Sequence, residues 1–144
     1  MRHRCASAAL AALAWAAPLT SAQESSAPEL RRGLWRFERT FEYADRRAPG
    51  EAVTSERCVD PAALVEEQLA MFRRMGCSAE RSRAGAREWR TAVTCDRPGL
   101  PRGSSSSVQT VGGADAYEVK IVNAGEMAMP IARERLVARR IGDC

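Results

Sequence analysis

Few residues of this 144-residue chain are of a type and spacing that could do chemistry. Met127 and Met129, two apart in Gly125-Glu126-Met127-Ala128-Met129-Pro130, offer thioethers of the kind that select Cu(I). Alternate residues of a strand share a face, so this pair, joined by Met71 or Met75, forms a candidate copper site. The plainer reading is that the methionines fill apolar gaps, and it is the one adopted, with no metal and no cofactor. Glu118, Glu126, Glu134 and Asp143 supply carboxylates, and glycosidase-like hydrolysis needs only two acids at a set separation. Surface acids meet that description in most proteins, so a carboxylate-based hydrolase ranks third among the functions considered. Ser104 to Ser107 is a run of hydroxyls without a base, because the one histidine is His3. Beyond His3 there is no Ser-His-Asp triad, no Cys-His dyad and no histidine metal site. Nor is there a Cys-x-x-Cys or a phosphate-binding glycine pattern. The expectation is a protein that is not an enzyme.

The aromatic residues suggest binding instead. Trp35, Phe37, Phe41, Tyr43, Trp89 and Tyr117 could line the inside of a curved sheet, where a small barrel holds one small apolar ligand. Arg39 interrupts the aromatic face of its strand and would either give such a pocket a polar end or mark the sheet edge. The competing reading is that these side chains simply fill the core.

The segments that must position them follow in order. Residues 1–22 read as a secretory signal peptide. Arg2, His3 and Arg4 precede an apolar stretch from Ala8 to Ala17, and Thr20-Ser21-Ala22 offers a cleavage site. That stretch is shorter than the roughly 20 apolar residues of a membrane span, no other run approaches that length, and Cys5 is expected to leave with the leader. Removing the leader leaves 20 basic against 18 acidic residues, a net charge of +2. The arginines alternate with glutamates, so a mixed solvated surface is expected and nucleic acid is rejected as a partner. Residues 23–32 read as a flexible arm, and residues 33–144 as one domain.

In that domain Trp35, Phe37, Arg39, Phe41 and Tyr43 alternate with Arg36, Glu38, Thr40 and Glu42, the period of a half-buried strand. Turn residues 45–50 lead into a second strand over 51–57. Asp60-Pro61 caps and starts a helix over about 60–75, with Val65, Leu69, Phe72 and Met75 on one face and Gly76 as its stop. Strands are expected at 77–83, 87–95, 104–111, around Tyr117, Val119 and Ile121, and at about 131–141. The serine-bearing strand is of low hydrophobicity and reads as exposed. The fold class is mostly β: an antiparallel meander of about seven strands forming a curved sheet or barrel, with one packed helix.

An exported chain with Cys58, Cys77, Cys95 and Cys144 is expected to hold two disulfides. Cys58 and Cys77 bracket the helix, whose ends lie roughly 20 Å apart, too far for a bond that needs Cα atoms within about 7 Å. A three-residue loop at Ala84-Gly85-Ala86 sets Cys77 against Cys95 on the face of Trp89 and Val93, leaving Cys58 for Cys144. A two-residue turn shifts the register by one and favours Cys58–Cys95 with Cys77–Cys144. The first pairing is preferred.

Gly33-Leu34-Trp35 at the first strand, Cys58 before a proline-started helix, Cys77 and Cys95 about a hairpin, and the closing Arg140-Ile141-Gly142-Asp143-Cys144 together resemble the domain-of-unknown-function-3617 family, small exported proteins of Gram-negative bacteria. The likeness covers residues 33–144. Arg36 departs from it, standing where the family usually carries glutamate. The resemblance implies a periplasmic, mostly β domain and implies no activity. The expected function is binding of a small apolar or amphipathic ligand in the cavity of the curved sheet. The alternative is an adaptor that docks on an envelope protein through a strand edge.

Overall fold

A computed structural model describes residues 27–48 and 50–144. The expected signal peptide, with His3 and Cys5, and residues 23–26 of the expected arm lie outside the described residues. The elements are β1 (Gly33–Tyr43), β2 (Val53–Val59), α1 (Pro61–Arg74), β3 (Ser78–Arg83), β4 (Glu88–Cys95), β5 (Gly103–Gly113), β6 (Ala116–Gly125), a 3-10 turn (Glu126–Ala128) and β7 (Ile131–Gly142). The strands form one antiparallel sheet in the order β2-β1-β7-β6-β5-β4-β3. Taken around the sheet, every sequential pair of strands is hydrogen-bonded and β7 closes back on β1; only β2 and β3 do not pair. The architecture is therefore an open sheet, a ring interrupted at one place, and that place is where the helix was inserted in sequence.

The helix forms because both ends are specified locally. Asp60 Oδ1 accepts from the backbone amides of Ala62 (3.0 Å) and Ala63 (3.3 Å), and the buried Pro61 supplies a preset φ at the first position. Gly76 follows at φ +87°, a left-handed value that side-chain-bearing residues resist, and ends the helix. Fourteen residues give an axis about 21 Å long. Seven strands about 4.8 Å apart would spread over about 29 Å if laid flat. A connection this short between the two edge strands favours a sheet curled toward the helix.

The inward face of the curl carries the apolar residues, in two clusters. One joins Trp35, Phe37, Trp89, Val111, Tyr117, Leu136 and Ala138, with Leu30, Val59 and Val119 packed against it. The other lies under the helix: Leu69, Cys77, Ala79, Val93 and Cys95, with Val65, Phe72, Met75, Leu100 and Met127 alongside. The outward face explains the arginine–glutamate alternation. Arg36 pairs with Glu56 at 2.8 Å, Arg133 with Glu42 at 3.3 Å and Arg135 with Glu118 at 2.9 Å, all between neighbouring strands. The Arg135 guanidinium holds the Glu118 carboxyl below the usual range. Such exposed pairs, screened by solvent, add little to stability. Arg36, out of pattern for the family likeness, thus has an acid of its own on β2.

Cys77 is bonded to Cys95 and Cys58 to Cys144, with Cα–Cα distances of 4.5 and 5.7 Å. The β3–β4 register pairs Arg83 with Trp89 and Ser78 with Thr94. Five residues, 84–88, therefore lie between the last registered pair, more than the expected three. That odd count preserves the parity that places Cys77 across from Cys95. The second bridge crosses β1, because Leu34 faces Cys58 on one side and Gly142 on the other. Gly33 lies under this staple, where a Cβ would collide with the Arg140 side chain and the Gly142 carbonyl oxygen.

At the end of the expected arm, Arg31 is tied to the sheet. The Arg31 amide donates to the Ala114 carbonyl (2.9 Å), its guanidinium holds Asp115 (Nε to Oδ1, 2.8 Å), and Trp35 Nε1 donates to the Arg31 carbonyl (3.0 Å). Burying Trp35 requires a partner for its indole N–H, and the chain before β1 supplies it.

Candidate functional site

Between the two apolar clusters the interior does not close. A cavity of about 190 Å³ lies between α1 and the concave face of the sheet. Its roof is Leu64, Val65, Gln68, Leu69 and Phe72 from the helix, and its apolar floor includes Phe37, Tyr117, Val119 and Leu136. The reason for the gap is β5. Ser105, Ser107 and Gln109 occupy its inward positions near the middle of the sheet, where the neighbouring strands place Val93 and Trp89 on one side and Val119 and Ile121 on the other. Two serines cannot reach the helix, so the space beneath it stays open.

Of the residues expected from sequence to line a pocket, Phe37, Arg39 and Tyr117 do so. Trp35, Phe41, Tyr43 and Trp89 do not line this cavity; Trp89 borders a separate surface pocket with Pro28, Arg87 and Val111. Trp35 is 0 % exposed, its ring tilted against that of Tyr117 with centroids 5.5 Å apart, within the first cluster, which also holds Trp89. Phe41 lies near the end of β1, its ring 6.5 Å from Tyr43. Parity puts all of these on one face, but only position along the strand decides which side chain meets the cavity.

The polar groups of the cavity fall into two sets. At the β1–β7 side, Arg39 Nη1 stands 3.0 Å from Glu134 Oε1. That oxygen is buried and makes no aligned hydrogen bond, so the attraction is one of charge. At the β3–β4 side, Arg81 donates to Gln109 Oε1 and, at 3.5 Å, to Thr91 Oγ1. Burial pulls the Arg81 guanidinium below its usual pKa, opposed by the charge of Glu66 on the helix. The same exclusion of water pushes the Tyr117 hydroxyl up to about 12, against the pull of Arg39 and Arg57. Arg81, Thr91, Ser107 and Gln109 were not foreseen as site residues, and the serine strand was expected to be exposed; Ser105 and Ser107 are instead half-buried cavity walls.

The copper candidates do not converge. The segment that was to carry them on one strand face is a 3-10 turn: Met127 packs against the helix-side cluster, whereas Met129 is 65 % exposed. The candidate acids are also dispersed. Glu134 faces the cavity, Glu118 pairs with Arg135 and Lys120, Glu126 accepts from the Arg102 amide, and Asp143 pairs with Arg140. Among the described residues, no group of three or more histidine, cysteine, aspartate or glutamate side chains is placed to hold a metal, and no helix is long and apolar enough to cross a membrane.

A disulfide-stapled open β-sheet with a single helix across its concave side, roofing a cavity of mixed polarity, is the class of domain these observations define. Residues 30–144 match the family described as protein of unknown function (DUF3617), and the chain belongs to that family. Neither the curated proteins nor the solved structures contain a match.

Proposed function

We propose that this is a non-enzymatic periplasmic protein that binds a small apolar or amphipathic ligand between α1 and the sheet. The observation that carries the reading is the cavity itself. Protein interiors normally pack to crystal-like density, yet here small polar residues hold open the middle of the sheet, at a cost that a ligand would offset. Native mass spectrometry on protein exported to a bacterial periplasm tests this directly. An adduct of defined mass, released on denaturation and restored by adding the extracted compound, is the expected result. Protein that carries no adduct and binds none of a panel of small amphiphiles would sink the reading.

One observation favours a second reading, an adaptor for an envelope protein. Residues 53–58 of β2 are all exposed, and the strand forms an edge of the sheet. An unpaired edge can accept a partner's strand. Edge docking predicts protection of β2 amides from hydrogen exchange by a partner, with the cavity left empty.

A further inference from the structure

Resting on the binding reading above, we propose that the ligand is a short single-chain amphiphile with a carboxylate head, and that Arg81 is the residue that binds that head. The two arginines facing the cavity are not equivalent. Arg39 is already neutralised, with Glu134 3.0 Å away. Arg81 has no carboxylate within ion-pair distance among the described residues; its hydrogen-bond partners are the neutral oxygens of Gln109 and Thr91. Glu66 acts on it only from beyond that range. A guanidinium carries five N–H donors in a planar fork. Two acceptors leave donors to spare, and the fork matches a carboxylate in paired geometry. Removing a charge from water without a counter-ion is costly, so a cation held this way in a cavity wall is a standing preference for an anion.

The surroundings specify the rest of the ligand. Arg81, Thr91 and Ser107 lie in one cross-strand row, since Arg81 pairs with Thr91 and Thr91 with Ser107. The two hydroxyls beside the guanidinium can each donate to an oxygen of the head. Away from that row the lining turns to Leu64, Val65, Phe72, Val119 and Leu136, which suits a hydrocarbon tail. The cavity of about 190 Å³ slightly exceeds the ~150 Å³ apolar cavity that accommodates benzene. The tail is then about six to eight carbons, shorter than a membrane-lipid chain.

The test is calorimetric titration of the 23–144 chain, purified with both disulfides formed, with octanoate, methyl octanoate and octylammonium. Octanoate is expected to bind at least about tenfold more tightly than its methyl ester, the scale of a charge-assisted hydrogen bond, and octylammonium more weakly than either. Arg81→Gln is expected to abolish the difference between octanoate and the ester. Arg39→Gln should leave the ratio above unity. Equal binding of acid and ester by the unmodified protein overturns the assignment while leaving the binding reading intact. So does an acid preference that survives in Arg81→Gln. If none of the three compounds binds, this assignment fails, and the binding reading is decided separately by the native mass spectrometry above. The comparison on the unmodified protein stands whether or not the Arg81 variant folds.

Discussion

Removing the bridge between β2 and the chain end should cost more than any exposed pair of side chains normally does. Cys58 and Cys144 are both exposed, so replacing them with serine in Cys58→Ser/Cys144→Ser removes little packing. The loss lies in the unfolded chain. The bond spans 86 residues, and the chain-entropy relation for a loop of that length gives about 4.6 kcal/mol at 25 °C. The intact Cys77–Cys95 bond already shortens that loop by its own 18 residues, which lowers the figure only to about 4.4 kcal/mol. Against a typical domain stability of about 5–15 kcal/mol, the double variant would be marginal. Equilibrium unfolding in urea, followed by tryptophan fluorescence, measures this. The midpoint should fall steeply and the slope m should rise, because an unbridged denatured chain exposes more surface. A loss below about 1 kcal/mol with m unchanged would refute the reasoning. It would mean that the bridge does not constrain the denatured ensemble.

Other outcomes follow from the same geometry. Mild reductant with an alkylating trap should modify Cys58 and Cys144 well before Cys77 and Cys95, which are 6 % and 5 % exposed, because exchange requires access; peptide mapping reads the order. Tyr117, with its folded pKa raised to about 12 from an ordinary 10, contributes stability that is complete below pH 10 and lost as pH rises toward 12. The loss is on the order of 2 kcal/mol, and Tyr117→Phe should flatten that alkaline slope in urea titrations at each pH. Ser107→Val should raise stability by about 1 kcal/mol by adding apolar contact in a strand while abolishing ligand binding measured by calorimetry. Asp60→Ala removes the acceptor for two helix amides and should lower stability by about 1 kcal/mol, read from the urea midpoint.

Much of the architecture was legible because local signals agreed. The alternation from Trp35 to Tyr43 is a strand buried on one side, and Asp60-Pro61 with Gly76 marks both ends of the helix. Two cysteine pairings stay open in the sequence, because hairpin parity turns on the loop length; the pairs present are Cys77–Cys95 and Cys58–Cys144. The cavity was less legible, for a physical reason. Hydrophobic periodicity reads serine and glutamine as solvent-facing, so β5 looked exposed, and its inward role emerges only when Val93 and Ile121 flank it across the ladders. Arg81 carries the same difficulty: an arginine in a strand edge ordinarily reaches water, and its burial depends on a helix packed above it. Trp35 and Trp89 show the converse. Their face was correctly inferred, but their place along the strand put them in the packed cluster.

The helix is fastened at its two ends to the two strands that do not pair with each other, and this makes it the string of a bow whose limbs are β2 and β3. The depth of the cavity is then a mechanical property. Straightening the sheet draws the string against its floor, and tighter curvature lifts it. Entry of a ligand would be governed by the bending stiffness of the hydrogen-bonded ladders, with no separate lid to open. The staple from Cys58 to Cys144 stiffens one limb beside the string's attachment, and the bond from Cys77 to Cys95 stiffens the other. Both disulfides thus set the tension across the cavity as well as the stability of the fold.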